Sequence, residues 1–444
     1  MRRLSRGLAL ILALAMLVLA GCGTKQAEAP KNAEPKAEAP AKTVELNFYF
    51  PVAVGGAVAK TIEGYVSDFN AANPNIKVTP VFAGNYAETM TKVQTAIQGG
   101  KPPEVAVLLS TDVFTLLDLK AIVPFDDFAA TDKEYQAYIS DFLPAFMKNS
   151  VVGGKTYGIP FQRSTPVLYY NKEAFKEVGL DPEKPPKNWD ELVAFGKQLT
   201  KPDGSRWGVE LPSDGYPYWI FGSFFIQAGR NIVNEDGTEV YFNTPEVIEG
   251  LEFIKSLSAT HKIMPPGVLK WGDVPNDFIT GKAAMIYHTT GSIGNIKSKM
   301  DPAKIGMAFM PAGKKGYGAP TGGGNLFIFK TTPEKQAAAY KFVKFMTETE
   351  RMANWGITSG YVAARKSSWE TEAMKKAVAE FPGYKVALDQ LQYADRELAT
   401  HQNQQVLKAF GDQLQAVVNG TKTPKEAMEQ AQKDAEAILK PFKK

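Results

Sequence analysis

A chain of 444 residues exceeds what one hydrophobic core ordinarily serves, so two bodies are expected. Apolar side chains make up 44% of it, too many for a mostly disordered polypeptide, and the single long apolar run argues against a polytopic membrane protein. The formal charge of +4 drops by three when Arg2, Arg3 and Arg6 are set aside with residues 1–21, and a near-neutral body gives no electrostatic footing for nucleic acid.

The first segment reads as a targeting signal. Three arginines precede Leu8–Ala20, a run of 13 apolar residues. That is short of the roughly 20 helical residues that span a bilayer, and it fits the apolar region of a secretory signal. Leu19-Ala20-Gly21-Cys22 then resembles the bacterial lipobox, in which the cysteine is lipidated and becomes the new N-terminus. Cys22 is the only cysteine, so no internal disulfide or cysteine-based metal site is available. Residues 1–21 are thus expected to be a signal peptide. Residues 22–43 are expected to be a lipidated cysteine followed by an Ala/Pro/Glu/Lys tether, with Pro30, Pro35 and Pro40 keeping it extended.

The body opens as strand, helix, strand, helix, strand. Val44, Leu46, Phe48 and Phe50 alternate as in a strand, and Val58, Ile62, Tyr65, Val66 and Phe69 recur at helical spacing. Ile76–Val81 is a second strand, Met90, Val93 and Ile97 mark a second helix, and Val105–Leu109 is the continuous apolar run of a buried strand. This order predicts a mostly parallel sheet flanked by helices, with ligands at the carboxyl ends of the strands. The loops there are Pro51–Gly56, Gly84-Asn85-Tyr86 and Ser110-Thr111-Asp112. A second unit begins near Ser164 with a strand over Pro166–Tyr170, a helix start at Asn188 and a further strand over Trp207–Leu211. The last third reads as helices over Ala337–Trp355, Val406–Val418 and Pro424–Leu439.

Catalytic signatures are missing. Gly153-Gly154-Lys155-Thr156 ends like a phosphate-binding loop, but Asn149 stands where that loop needs glycine, and the flanking residues make it a hairpin turn. His261, His288 and His401 show no metal-ligand spacing. Tyr216, Tyr218, Trp219, Phe221, Phe224 and Phe225 crowd ten residues with Gly215, Pro217 and Gly222. Core packing accounts for such a cluster in most proteins; a cleft in which aromatic faces stack on sugars is the sharper reading, with Trp219 as its representative.

The lipobox and tether, Ile159-Pro160-Phe161 as a crossover, Tyr169-Tyr170-Asn171-Lys172 with Phe175, Gly281–Met285, Gly291-Ser292 and Met310-Pro311 together resemble the large solute-binding proteins of ABC importers, the maltose-binding-protein-like class. Within it, Ser164–Lys172, Gly179–Pro182, Trp189, Gly84-Asn85-Tyr86, Gly360-Tyr361 and Gly420–Pro424 are similar to sn-glycerol-3-phosphate-binding proteins. The resemblance implies an α/β two-lobe periplasmic-binding fold: residues 44–165 and 322–361 in one lobe, 166–321 and 362–444 in the other, the ligand cleft between. Hinge closure would trap the ligand. It implies a monomer without enzymatic activity or cofactor, anchored outside the membrane, whose partners are the permease subunits and a small solute. Contacts of those relatives fall on Tyr86, Ser164, Thr289, Gly323 and Tyr361. Ser110 stands where they carry an acidic residue, and Leu407 where they carry a phosphate-binding arginine. Arg163 is the candidate replacement, or else a hinge residue. The ligand therefore stays open between a carbohydrate or polyol and glycerol-3-phosphate or a glycerophosphodiester. A sensor for a membrane kinase and an exported enzyme on the same scaffold are the readings from other classes.

Overall fold

The computed structural model describes residues 43–54 and 57–443. The expected signal peptide, Cys22 and the tether up to Lys42 lie outside the described residues, as do Gly55 and Gly56. In chain order the strands are β1 (Val44–Phe50), β2 (Ile76–Phe82), β3 (Val105–Leu109), β4 (Val151–Val152), β5 (Lys155–Thr156), β6 (Ile159–Ser164), β7 (Pro166–Asn171), β8 (Met285–Thr289), β9 (Ile305–Ala308), β10 (Ala319–Pro320), β11 (Gly322–Ile328) and β12 (Ala394–Asp395).

The first lobe is built on a five-stranded sheet in the order β2-β1-β3-β11-β6. Its first three strands are parallel, as their helical crossovers Val58–Ala72 and Tyr86–Gln98 require. β11 runs against both β3 and β6. The second lobe holds the order β8-β7-β9, antiparallel throughout. The first sheet is thus mixed and the second antiparallel, where the sequence pattern predicts mostly parallel strands; alternation and apolar runs report burial, not heading. Trp207–Leu211 is not a continuous strand but touches the β8 segment at two bridges, Trp207 to Ala283 and Glu210 to Ile286. Gly208 lies there against the backbone of Gly196, too close for any Cβ.

Each lobe has its own aromatic core. In the first, Phe342 meets Phe48 and Phe69 edge-on at 5.1 and 5.0 Å, and Trp355 stacks on Phe161 at 4.8 Å. In the second, Trp189 stacks on Phe253 at 4.2 Å and Phe242 on Phe410 at 4.0 Å. Complete burial of such a ring contributes roughly 1.5–3 kcal/mol, which holds each lobe together independently of the other. The aromatic cluster after Tyr216 is the helix Pro217–Ala228, started by a proline in its first turn and ended by Gly229 in the left-handed conformation.

The chain passes between lobes through single residues. Thr165 separates β6 from β7, and Thr321 separates β10 from β11. The passages lie side by side: Thr165 Oγ1 donates to Pro320 O at 3.2 Å, and Gln390 Nε2 donates to Thr165 Oγ1 at 3.1 Å. Ile159-Pro160-Phe161 belongs to β6, so the crossover falls a few residues later than that motif. A third passage follows Arg365, whose backbone still pairs with Phe142 of the first lobe. Short connections of this kind bend without disturbing either core.

Candidate functional site

The carboxyl ends of β1, β2 and β3 open toward the second lobe, and a cavity of about 30 Å³ lies there. Ala53 and Val54 follow β1, Tyr86 follows β2, and Leu109 ends β3; Ser164, Gly323 and Tyr361 complete the wall on the first lobe. The second lobe supplies Tyr216, Trp219, Trp271 and Thr289, and Glu397 enters just after β12.

Local chemistry explains these placements. Asn85 caps the helix Tyr86–Gln98 by accepting from Glu88 N at 3.0 Å, while Glu88 Oε2 accepts from Asn85 N at 2.8 Å. That box fixes Tyr86 at the first turn, where its hydroxyl donates to Gln162 Oε1 at 2.7 Å. Gly323 has φ +92°, and a Cβ there would stand 1.9 Å from Gln162 O, so only glycine lets β11 approach β6 at the cavity. Tyr361 follows the helix Thr349–Ser359 and Gly360, and its ring stacks on Trp355 at 5.7 Å. Trp219 donates its indole N–H to Thr321 O at 2.8 Å, between β10 and β11. Trp271 donates to Ala53 O at 3.2 Å, across the cleft. Tyr216 meets Trp271 edge-on at 4.9 Å, and Trp219 and Trp271 lie 6.1 Å apart. Five aromatic rings therefore surround the cavity.

Buried His288 braces Trp271. Its Nε2 lies 3.0 Å from Trp271 O and must donate, which leaves Nδ1 to accept from Ser292 Oγ at 2.7 Å. Burial lowers its pKa to about 4, so the ring is neutral. Burial also raises the Tyr361 hydroxyl to about 12, keeping it an uncharged donor.

The buried charges stand at the edge of this box. Arg163 is fully buried, yet it does not line the cavity. Its Nη1 donates to Gly323 O at 3.2 Å and Asn325 Oδ1 at 3.3 Å, and its Nη2 to Thr321 Oγ1 at 3.3 Å. The guanidinium bonds to β11 and to Thr321; burial lowers its pKa to about 10, which leaves it charged. Ser110 is likewise behind the wall and donates to Glu397 Oε2 at 3.4 Å. Glu397 is raised to about 8, first by burial and further by Asp112, against the pull of Arg163 and the Ser110 bond. Asp112 itself is raised to about 7 by burial. Among the described residues no Lys, Arg or His lines the cavity, and no cluster of His, Cys, Asp or Glu could hold a metal.

Of the residues singled out from sequence, Tyr86, Ser164, Trp219, Thr289, Gly323 and Tyr361 come together on the wall, whereas Ser110 and Arg163 stand behind it. Leu407 packs into the core of the second lobe. Sequence reasoning passed over Trp271 and Glu397. Trp271 sits alone in a turn ahead of the helix Asp273–Ile279, without a motif around it. Glu397 follows Asp395-Arg396 in a stretch that reads as solvated charge.

The family model for bacterial extracellular solute-binding proteins matches residues 64–383. The chain belongs to that family. It is a binding protein of the ABC-importer class and not an enzyme. It is 27% identical over 410 residues to the sn-glycerol-3-phosphate-binding periplasmic protein UgpB of Escherichia coli (strain K12), covering 88% of this chain and 91% of that one. Solved structures share its two-lobe fold. UgpB of Mycobacterium tuberculosis in complex with glycerophosphocholine has a TM-score of 0.78 at 24% identity, covering 90% of this chain and 99% of that one. Maltose-bound T. maritima MalE3 also has a TM-score of 0.78, at 22% identity, covering 89% and 100%. A solute-binding protein from Thermotoga lettingae bound with α-D-tagatose has a TM-score of 0.77 at 22% identity, again covering 89% and 100%. The family places this solute-binding protein outside the cytoplasm.

Proposed function

We propose that this protein is the membrane-anchored receptor of an ABC importer and that its solute is a neutral sugar or polyol. One observation carries the choice of solute: the cavity is walled by five aromatic rings, hydroxyls and one carboxyl, without a lining cation among the described residues. Aromatic faces cover the C–H faces of a sugar, and Ser164, Thr289, Tyr361 and Glu397 offer hydrogen bonds to its hydroxyls. A phosphate dianion buried here would lose its hydration without meeting a guanidinium or ammonium, at a cost of several kcal/mol. Arg163 cannot turn toward it without abandoning Gly323, Asn325 and Thr321.

Solute sites ordinarily measure about 300–1,000 Å³, so the narrow cavity implies that the lobes part to admit the solute and then close on it. Thr165 and Thr321 are the proposed hinge, and the closed, loaded form is the one that docks on the permease. The anchor is Cys22: two or three acyl chains hold a protein stably at a membrane where one does not. Cys22→Ser is expected to move the protein from the membrane fraction to the soluble fraction, and an unchanged distribution would contradict the anchor.

A glycerophosphodiester bearing a quaternary ammonium is the second reading. The aromatic box with a carboxyl on its edge suits such a cation, and the M. tuberculosis relative was solved with glycerophosphocholine. A thermal-shift panel separates the two. A ligand at 100 times its dissociation constant adds about 2.7 kcal/mol of stability. Neutral sugars and polyols are expected to raise the melting temperature. A shift from glycerophosphocholine alone would support the second reading and sink the first.

A further inference from the structure

We infer that Glu397 sets the charge selectivity of this cavity, holding the hydroxyls of a neutral solute and barring a phosphate dianion from the same wall; the inference rests on the reading of the site given above. Glu397 is 2% exposed, and its backbone is pinned from both sides by one residue. Its N–H donates to Asn149 Oδ1 at 3.0 Å, and Asn149 Nδ2 donates to its carbonyl at 3.2 Å. Glu397 lines the cleft cavity and also a smaller one, about 10 Å³, and Trp219 lines both.

Its carboxyl is underused for a buried group. The 3.4 Å bond from Ser110 is the only hydrogen bond it makes among the described residues, and no cation lies within ion-pairing distance there. Buried polar groups are ordinarily satisfied, and an unsatisfied one is costly. A purely structural carboxyl would be matched by Arg163, but all three of that residue's hydrogen bonds go elsewhere. Glu397 borders the cavity, where a solute hydroxyl would complete its hydrogen bonding.

The charged and titratable neighbours of Glu397 are one acid, three tyrosines and one arginine. Asp112 lies behind Ser110 with one buried oxygen unpartnered. Tyr86, Tyr216 and Tyr218 are all held neutral by burial. Arg163 is the one cation, and it offsets part of the acid pair without reaching the cavity. Burial keeps Glu397 largely protonated at pH 7. In that form it presents one donor and several acceptor positions, the complement of adjacent hydroxyls. Toward a phosphate dianion it offers a single O–H and no positive charge, and any ionised fraction of the carboxyl repels it.

The test is calorimetric titration of the mature protein at pH 7 with sn-glycerol-3-phosphate, maltose and D-tagatose, for wild type, Glu397→Gln and Glu397→Arg. Glu397→Arg is expected to bind sn-glycerol-3-phosphate at least tenfold more tightly than wild type. Glu397→Gln is expected to shift the phosphate-to-sugar affinity ratio at least threefold toward phosphate. If the arginine variant does not fold, the glutamine variant decides in the same direction. No gain of phosphate binding in either variant overturns the inference and leaves Glu397 a structural partner of Asn149. The underlying reading fails separately: wild type binding sn-glycerol-3-phosphate more tightly than either sugar would sink it whatever the variants do.

Discussion

The two walls of the cavity are held in different ways. On the first lobe, Tyr86 is fixed by Gln162, and Tyr361 by its stack on Trp355, which in turn stacks on Phe161. All of these partners belong to the same lobe, so this wall keeps its shape whether the lobes are apart or together. On the second lobe, Trp219 is tied to Thr321, and Trp271 to Ala53 of the opposite lobe. The Trp271 bond can exist only when the lobes meet. The difference teaches that the hydrogen-bonding wall is preorganised, while the aromatic wall is completed by closure. Ordering part of the site in advance lowers the cost of binding.

The sharpest way to break this comparison is to remove a ring from the wall that closure completes. Trp219→Ala is expected to weaken solute binding by about 2–4 kcal/mol in calorimetry, since the ring walls the cavity and holds Thr321 O. An affinity within threefold of wild type would show that the second lobe contributes little. On the preorganised wall, the largest effect falls on the fold itself. Gly323→Ala forces a Cβ onto Gln162 O at a φ of +92°, and a loss of roughly 2–3 kcal/mol is expected in urea denaturation. A neutral result would mean that β11 can withdraw from β6 freely.

Much of this architecture can be read from the chain. Val105–Leu109 is apolar at every position because both faces of β3 are covered, and residues 424–439 announce a helix through Thr423 and Glu426 at capping spacing. Strand direction could not be read, because β11 joins β3 and β6 only after the chain has been through the other lobe. The site was legible where a local motif marks it, as at Gly84-Asn85-Tyr86 and Gly360-Tyr361. It was not legible at Glu397, whose burial depends on Asn149, 248 residues earlier, and on the pairing of β10 with β12. Arg163 shows the converse: a charged residue in the right neighbourhood whose hydrogen bonds run to β11 and Thr321 rather than into the cavity.

The acid at the edge of the cavity gives a smaller effect that depends on pH. Glu397 has a folded-state pKa of about 8, above the ordinary carboxylate range, so the folded state keeps its proton where the unfolded chain has released it. Its contribution is full below about pH 4.5 and is lost as pH rises through about 8. Between pH 5 and 8.5 wild type is expected to lose about 1–3 kcal/mol more stability than Glu397→Gln, measured by denaturation at both pH values. Asp112, at about 7, leaves a residual slope in both proteins. Parallel curves would show that Glu397 is ionised in the folded state. The smallest effect belongs to a single hydroxyl on the preorganised wall. Tyr361→Phe keeps the stack on Trp355 and is expected to cost about 0.5–1.5 kcal/mol of binding with no loss of thermal stability. A much larger loss of binding would mean that this hydroxyl meets a charged group on the solute.

The most direct test of the account is a side-by-side calorimetric titration of wild type. The ligands are the neutral sugar or polyol that gives the largest thermal shift and sn-glycerol-3-phosphate. The account predicts saturable one-to-one binding of the neutral solute and at least hundredfold weaker binding of the phosphate ester. Tighter binding of sn-glycerol-3-phosphate would contradict it, because a dianion would then be accepted by a wall that carries a carboxyl and, among the described residues, no cation.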